Sequence, residues 1–179
     1  MKTLRYISLI LVFFGCKKNT QYSEIKKVLE RVLVDDQKFR QPYYDYAKQN
    51  PIDDKNIKIV TKIIDSLGWL GEDKVGKDAN LALFIAIQHA RKLSTMEKYL
   101  PIMKEAVKKG NVKKCQLAYL IDRVELLNNR KQIYGTQLTI KDNGNFTIEN
   151  IIDSSTVNIR RKSMDLEPIE NYLKMVNNQ

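Results

Sequence analysis

Apolar residues recur at helical spacing over most of this 179-residue chain, and the breaks between runs are marked by Pro and Gly. Ile25, Val28, Leu29, Val32 and Phe39 follow Ser23, a plausible N-cap, and Pro42 ends or kinks that predicted helix. A second helix starts at Asn50 with Pro51 in its first turn. There Asp53 and Asp54 face the helix dipole, and Ile57, Val60, Ile63, Ile64 and Leu67 form the stripe before Gly68. The run 81–87 is apolar without interruption inside a segment spanning 77–93, and a helix apolar on all sides belongs at the centre of the core. Amphipathic helices over 95–109, closed by Gly110, and over 112–128, with Leu117, Leu120, Ile121, Val124 and Leu127 as its stripe, follow.

The period then changes to two. Leu138 and Ile140 alternate with Gln137 and Thr139, and Phe146 and Ile148 mirror them beyond Asn143-Gly144, a dipeptide suited to a tight hairpin turn. Pro168 opens a last helix carrying Ile169, Tyr172, Leu173 and Val176. The pattern predicts a mainly α (α+β) domain of about six helices with one β-hairpin near 136–149, and the length of 23–179 suits a single core.

The N-terminus reads differently. Lys2 and Arg5 precede an apolar stretch over 6–14, far shorter than the roughly 20 residues of a spanning helix. The run ends in Phe13-Phe14-Gly15-Cys16, which resembles a lipobox. The expectation is a signal peptide over 1–15, lipidation of Cys16 and a polar tether over 16–22. The protein would then sit in the bacterial envelope, lipid-anchored, at the outer membrane facing the periplasm, because no acidic sorting residue follows Cys16. Cys115 is then the one thiol left, most simply a small buried hydrophobe, and no internal disulfide can form.

The full chain carries a net charge of +10, and losing Lys2 and Arg5 with the signal leaves 29 basic against 21 acidic residues, or +8. In an envelope such charge favours anionic surfaces, but the lysines are scattered as ordinary solvated helix faces do. Nothing matches a nucleic-acid-binding motif, so no DNA or RNA partner is expected.

His89 is the only histidine and follows Gln88 at the end of the all-apolar segment, where it is either a hydrogen-bonded core residue or a base; imidazoles suit acid–base work near neutral pH. With one imidazole and one mature thiol there is no zinc spacing, and Asp35-Asp36 more simply pair with basic neighbours such as Arg40, so no metal and no cofactor is expected. Gly71, Gly76 and Lys77 mimic a phosphate-binding loop, yet Asp78 stands where a hydroxyl should hold magnesium, and Glu72 and Asp73 repel phosphate, so no nucleotide is expected. Asp122 and Arg123 lie in the predicted helix over 112–128, Asp122 projects roughly opposite the stripe of Leu117, Leu120 and Val124, and the two read as a solvated charge pair. Gln132, Tyr134, Gly135, Thr136 and Gln137 crowd polar groups into the turn before the hairpin.

Taken in order, Gln88-His89-Ala90, Asp122-Arg123 and Gln132-x-Tyr134-Gly135-Thr136-Gln137 resemble a bacterial domain of unknown function, family 6624. The likeness extends to Asp36-Gln37 with Arg40, Gly68-Trp69, Val75-Gly76, and Arg161 followed by Leu166, Pro168 and Tyr172. The chain departs from the family pattern at Leu70, where proline is common, and at Arg91, where an acidic residue is common. The resemblance implies a fold and a shared site, not a reaction.

Three functions compete. The first is a hydrolase or transferase with His89, Asp122 and Tyr134 as catalytic residues. Gln37, Arg40, Gln88, Arg123, Gln132, Thr136, Gln137 and Arg161 would bind the ligand. The second is an envelope lipoprotein that binds a small molecule, a glycan or an envelope protein without turnover. In the third, the polar residues satisfy only one another inside the core.

Overall fold

The computed structural model describes residues 14–40 and 43–178, with side chains from residue 21 onward. Residues 1–13 of the predicted signal peptide (1–15), the side chain of Cys16 and the break at Pro42 lie outside the described residues. The fold is mainly helical, with one antiparallel hairpin in the C-terminal half.

Helix α1 (Phe14–Gln37) begins nine residues before Ser23, so Ser23 lies inside the helix and residues 16–22 are helical rather than extended. Helix α2 (Tyr46–Leu67) likewise starts earlier than predicted, because Asp45 caps it by accepting from the backbone N–H of Lys48 at 3.1 Å. Pro51 therefore lies within the helix, and Asp53, expected at the dipole, is buried a further half-turn along. The one-turn α3 (Glu72–Val75) separates Gly71 from Gly76, so the stretch that mimics a phosphate loop is partly helix.

Helix α4 (Lys77–Gln88) is the predicted central element and packs against α1, α2, α3, α5 and α6. Ala79, Ala82, Leu83 and Ile87 have no exposed surface at all. Full burial of a side chain such as Leu83 or Ile87 contributes about 2–3 kcal/mol. The small alanines let neighbouring helices approach α4 from several sides. Asn80 is the polar exception: its amide donates to the carbonyls of Leu70 at 2.7 Å and Asn111 at 2.8 Å, fastening two loops to the core. Helix α4 ends at Gln88 rather than near 93. His89 takes the C-cap, its N–H donating to Ile85 O at 2.9 Å, and the chain turns into α5 (Leu93–Lys108).

Helix α6 (Lys114–Leu127) packs on α5 and α4. The loop that follows leads to strands β1 (Thr139–Ile140) and β2 (Phe146–Thr147), paired Thr139 to Thr147 and Ile140 to Phe146. Gly144 turns the hairpin at φ +81°, as the Asn-Gly signal predicts. A 3₁₀ turn (Ser154–Thr156), α7 (Val157–Ser163) and α8 (Ile169–Asn177) complete the chain. Helix α7 is too short to carry a readable period and was not predicted; α8 follows Pro168 as expected.

Candidate active site

The C-terminal end of α4 meets the C-terminal end of α1. This brings the His89 ring onto Asp36, with Nδ1 2.9 Å from one carboxylate oxygen and 3.1 Å from the other. Asp36 is 1% exposed along its side chain and His89 20%. Burial would raise the Asp36 carboxyl, but hydrogen bonds and charge from His89 and then Arg40 outweigh it and hold the group below its ordinary value. Asp36 is therefore a carboxylate at neutral pH. A carboxylate only accepts, so His89 Nδ1 carries the proton and Nε2 is left with its lone pair when the ring is neutral.

A second layer fixes Asp36. Arg40 donates to it through Nε at 3.2 Å and Nη2 at 3.3 Å, and the same Nη2 reaches both oxygens of Asp53 at 2.8 and 2.9 Å. Gln37 donates to Asp36 at 2.7 Å. Gln49 ties Asp53 to the end of α1, donating to the carboxylate at 2.8 Å and accepting from the Phe39 N–H at 3.0 Å. Two carboxylates thus flank one guanidinium, and the imidazole supplies the remaining positive charge whenever it is protonated.

His89 also lines a cleft of about 370 Å³. Phe84, Ile85, Leu138 and Tyr172 give it apolar walls, while Gln88, Arg123, Thr136 and Gln137 give it polar ones. Cys115, expected to be buried, is half-buried and faces this cleft. The Gln88 carbonyl oxygen and Arg123 Nε are buried without a hydrogen-bond partner among the described residues. Burial, followed by the nearby charge of Arg40, lowers the pKa of Arg123.

Thr136 and Gln137, which line the cleft, are held by the Gln-x-Tyr-Gly-Thr-Gln segment. Asp122, expected to be solvated, is fully buried because this segment covers the side of α6 that the apolar stripe leaves uncovered. It accepts from the N–H groups of Ile133 at 2.7 Å, Tyr134 at 3.0 Å and Thr136 at 2.9 Å, and from the Thr136 hydroxyl at 2.9 Å. Gln132 acts as a substitute strand edge: its carbonyl accepts from Gln137 N–H at 2.9 Å, and its NH₂ donates to Gln137 O at 3.1 Å and Glu149 O at 2.9 Å. Gly135 sits at φ +65°, a backbone conformation that strains any L side chain, and a Cβ there would also crowd Ile169 Cδ1 at 2.9 Å. Arg161, 2% exposed, donates to the carbonyls of Tyr134 and Gly135 at 2.9 Å each and of Glu167 at 2.6 Å.

The sequence profile of a family described as a family of unknown function, DUF6624, matches residues 24–179. The chain belongs to this family. No match appears among curated proteins or among solved structures.

In this DUF6624 domain the expected site residues divide into three groups. His89, Gln88, Arg123, Thr136 and Gln137 meet at the cleft, while Gln37 and Arg40 stand behind His89 on Asp36. Asp122, Gln132 and Arg161 are buried struts whose polar atoms hold the loop. Tyr134 contributes its backbone to that loop and is not part of the cleft wall. The carboxylate on His89 is Asp36 and not Asp122. Asp36, Asp53 and Gln49, and the cleft-lining Tyr119 and Tyr172, were not among the expected site residues. The Asp36-x-x-x-Arg40 spacing was the one available signal for the second layer, since it places an ion pair on one helix face. Among the described residues no group of three or more His, Cys, Asp or Glu side chains is arranged to hold a metal ion, and no helix is long and apolar enough to cross a membrane.

Proposed function

We propose that the His89 cleft is the active site of a hydrolase or transferase, with His89 Nε2 as general base and Asp36 as the residue that positions it. The observation that carries this reading is the buried Asp36 carboxylate on Nδ1, itself held by Arg40 and Gln37, beside an open cleft. A ring fixed in this way presents Nε2 to a water molecule or an acceptor hydroxyl. On taking the proton it becomes an imidazolium whose charge Asp36 already balances. Gln88 and Gln137 supply amides that orient the substrate.

The test is turnover of ester, phosphoester, glycoside and peptide probes by the wild type and by His89→Gln. Turnover of at least one probe class is expected. The variant should keep its Tm and lose at least about 10²-fold in rate. Undiminished rates in His89→Gln would overturn the assignment. Binding without turnover would favour the alternative, an envelope lipoprotein that holds a small molecule, glycan or envelope protein noncatalytically.

The protein's place in this reading is the bacterial envelope, anchored by acyl chains on Cys16, at the outer membrane facing the periplasm. Support comes from Lys2 and Arg5, the short apolar run and Gly15-Cys16, and the family match starts only after them, at residue 24. Metabolic labelling with palmitate should mark the wild type and not Cys16→Ser; secretion of an unlabelled, soluble wild type would refute lipidation.

A further inference from the structure

Arg123 is the arginine that lines the cleft, and the two arginines that stand behind its walls are fully engaged. Arg40 holds Asp36 and Asp53, and Arg161 holds three carbonyl groups. Arg123 makes no hydrogen bond and no ion pair among the described residues, and its Nε is buried. After burial, the largest influence lowering its pKa is the like charge of Arg40, opposed by Tyr44. Among the described residues no Asp or Glu lines the cleft. The buried side-chain amide oxygen of Gln88 on the same wall is also without a partner among the described residues.

A desolvated cation beside another cation destabilises a fold unless something compensates it, and removing its partners costs more than leaving out the pair altogether. The same arrangement is favourable for a ligand, because a guanidinium that is already partly desolvated and has an unpaired Nε loses less on meeting an oxyanion. The Gln88 amide adds neutral hydrogen-bonding capacity, and Phe84, Ile85, Leu138 and Tyr172 add apolar surface.

We infer that the ligand of the His89 cleft carries an anionic oxygen group, phosphoryl or carboxylate, seated on Arg123, with an apolar body against Phe84, Ile85, Leu138 and Tyr172. This deepens the proposed function and rests on its cleft, but not on His89 being a base. In that geometry Arg123 fixes the anion and His89 Nε2 works on an adjacent bond or hydroxyl. The absence of carboxylates from the wall selects against cationic ligands.

The experiment uses the protein in phosphate-free buffer, with phenyl phosphate and benzoate as anionic probes and benzyl alcohol as the neutral one, read by thermal shift and by calorimetry. At least one anion should raise the Tm while benzyl alcohol does not, and the anion that binds identifies the group. Arg123→Gln should weaken the bound anion at least about tenfold, with Arg123→Lys intermediate. Without ligand, Arg123→Gln should melt no lower than the wild type, because it removes an uncompensated charge. A lower Tm with unchanged anion affinity would make Arg123 structural and overturn the inference. Failure of both anions to bind the wild type, or equal affinity for benzyl alcohol, would overturn it too. His89→Gln should retain the anion. Rates that survive in His89→Gln together with Arg123-dependent binding would sink the catalytic reading alone, and His89-dependent rates with Arg123-independent binding would sink this one alone.

Discussion

Asp122→Ala is expected to destabilise the domain by about 3–5 kcal/mol, which at this size lowers the Tm by roughly 6–20 °C. The side chain is fully buried, and four donors from three residues converge on it. Alanine leaves three backbone N–H groups and one hydroxyl without their acceptor at a place water does not reach, and it also opens a void. Burial pushes the Asp122 carboxyl up, while the donors from Tyr134, Thr136 and Ile133 pull it back. Because every partner donates, the form that fits the loop is the carboxylate. Asp122→Asn should therefore be the milder change: one amide oxygen can still accept, but its NH₂ must face a donor that had been accepted. Differential scanning calorimetry orders the three proteins, and amide hydrogen exchange should show 133–136 losing protection first. A Tm for Asp122→Ala within about 2 °C of the wild type, less than 1 kcal/mol at this size, would contradict the role given to Asp122.

The same residue shows where sequence reading stops. Its helical phase, opposite Leu117, Leu120 and Val124, placed it on the polar side of α6 correctly. Phase alone does not say what covers that side, and here residues 132–137 fold back over it. The central helix and the hairpin were legible because each depends on local pattern: an unbroken apolar run in one case, alternation around Asn143-Gly144 in the other. The start of α2 was not, because Asp45 and Asn50 are both cap-forming residues and local pattern does not say which one caps the helix; Asp45 does, accepting from Lys48 N–H. The end of α4 carries no glycine or proline, so nothing local marks the stop at Gln88. His89, Gln88 and Arg123 were legible as candidates because unusual residue types stand out on apolar segments. The partner of His89 was not, since Asp36 lies 53 positions away and looks like any other helical acid beside an arginine.

Asp36 therefore supports the second large expectation, one that separates orientation from folding. In Asp36→Asn the residue can offer His89 Nδ1 a donor in place of an acceptor, moving the ring proton to Nε2 and removing the lone pair that faces the cleft. If the amide turns its oxygen to His89 instead, its NH₂ points at Arg40 or Gln37, both donors, so neither orientation restores the wild-type set. On the proposed mechanism the rate falls by roughly 10²–10⁴-fold even though the ring is still present. Since His89 is the only histidine, its two ring nitrogens give an uncrowded ¹⁵N spectrum. With the ring neutral, the wild type should show its proton on Nδ1, and the variant should shift that proton toward Nε2. A merely structural Asp36 would leave that spectrum unchanged. The acid limb gives an independent check. The folded-state pKa of Asp36 is depressed below 3.8, so its contribution to stability is present above that value and is lost as pH falls through it toward the folded-state pKa. The wild type should therefore lose Tm more steeply than Asp36→Asn below about pH 4, and parallel acid profiles would remove Asp36 from the positions that hold His89 in place.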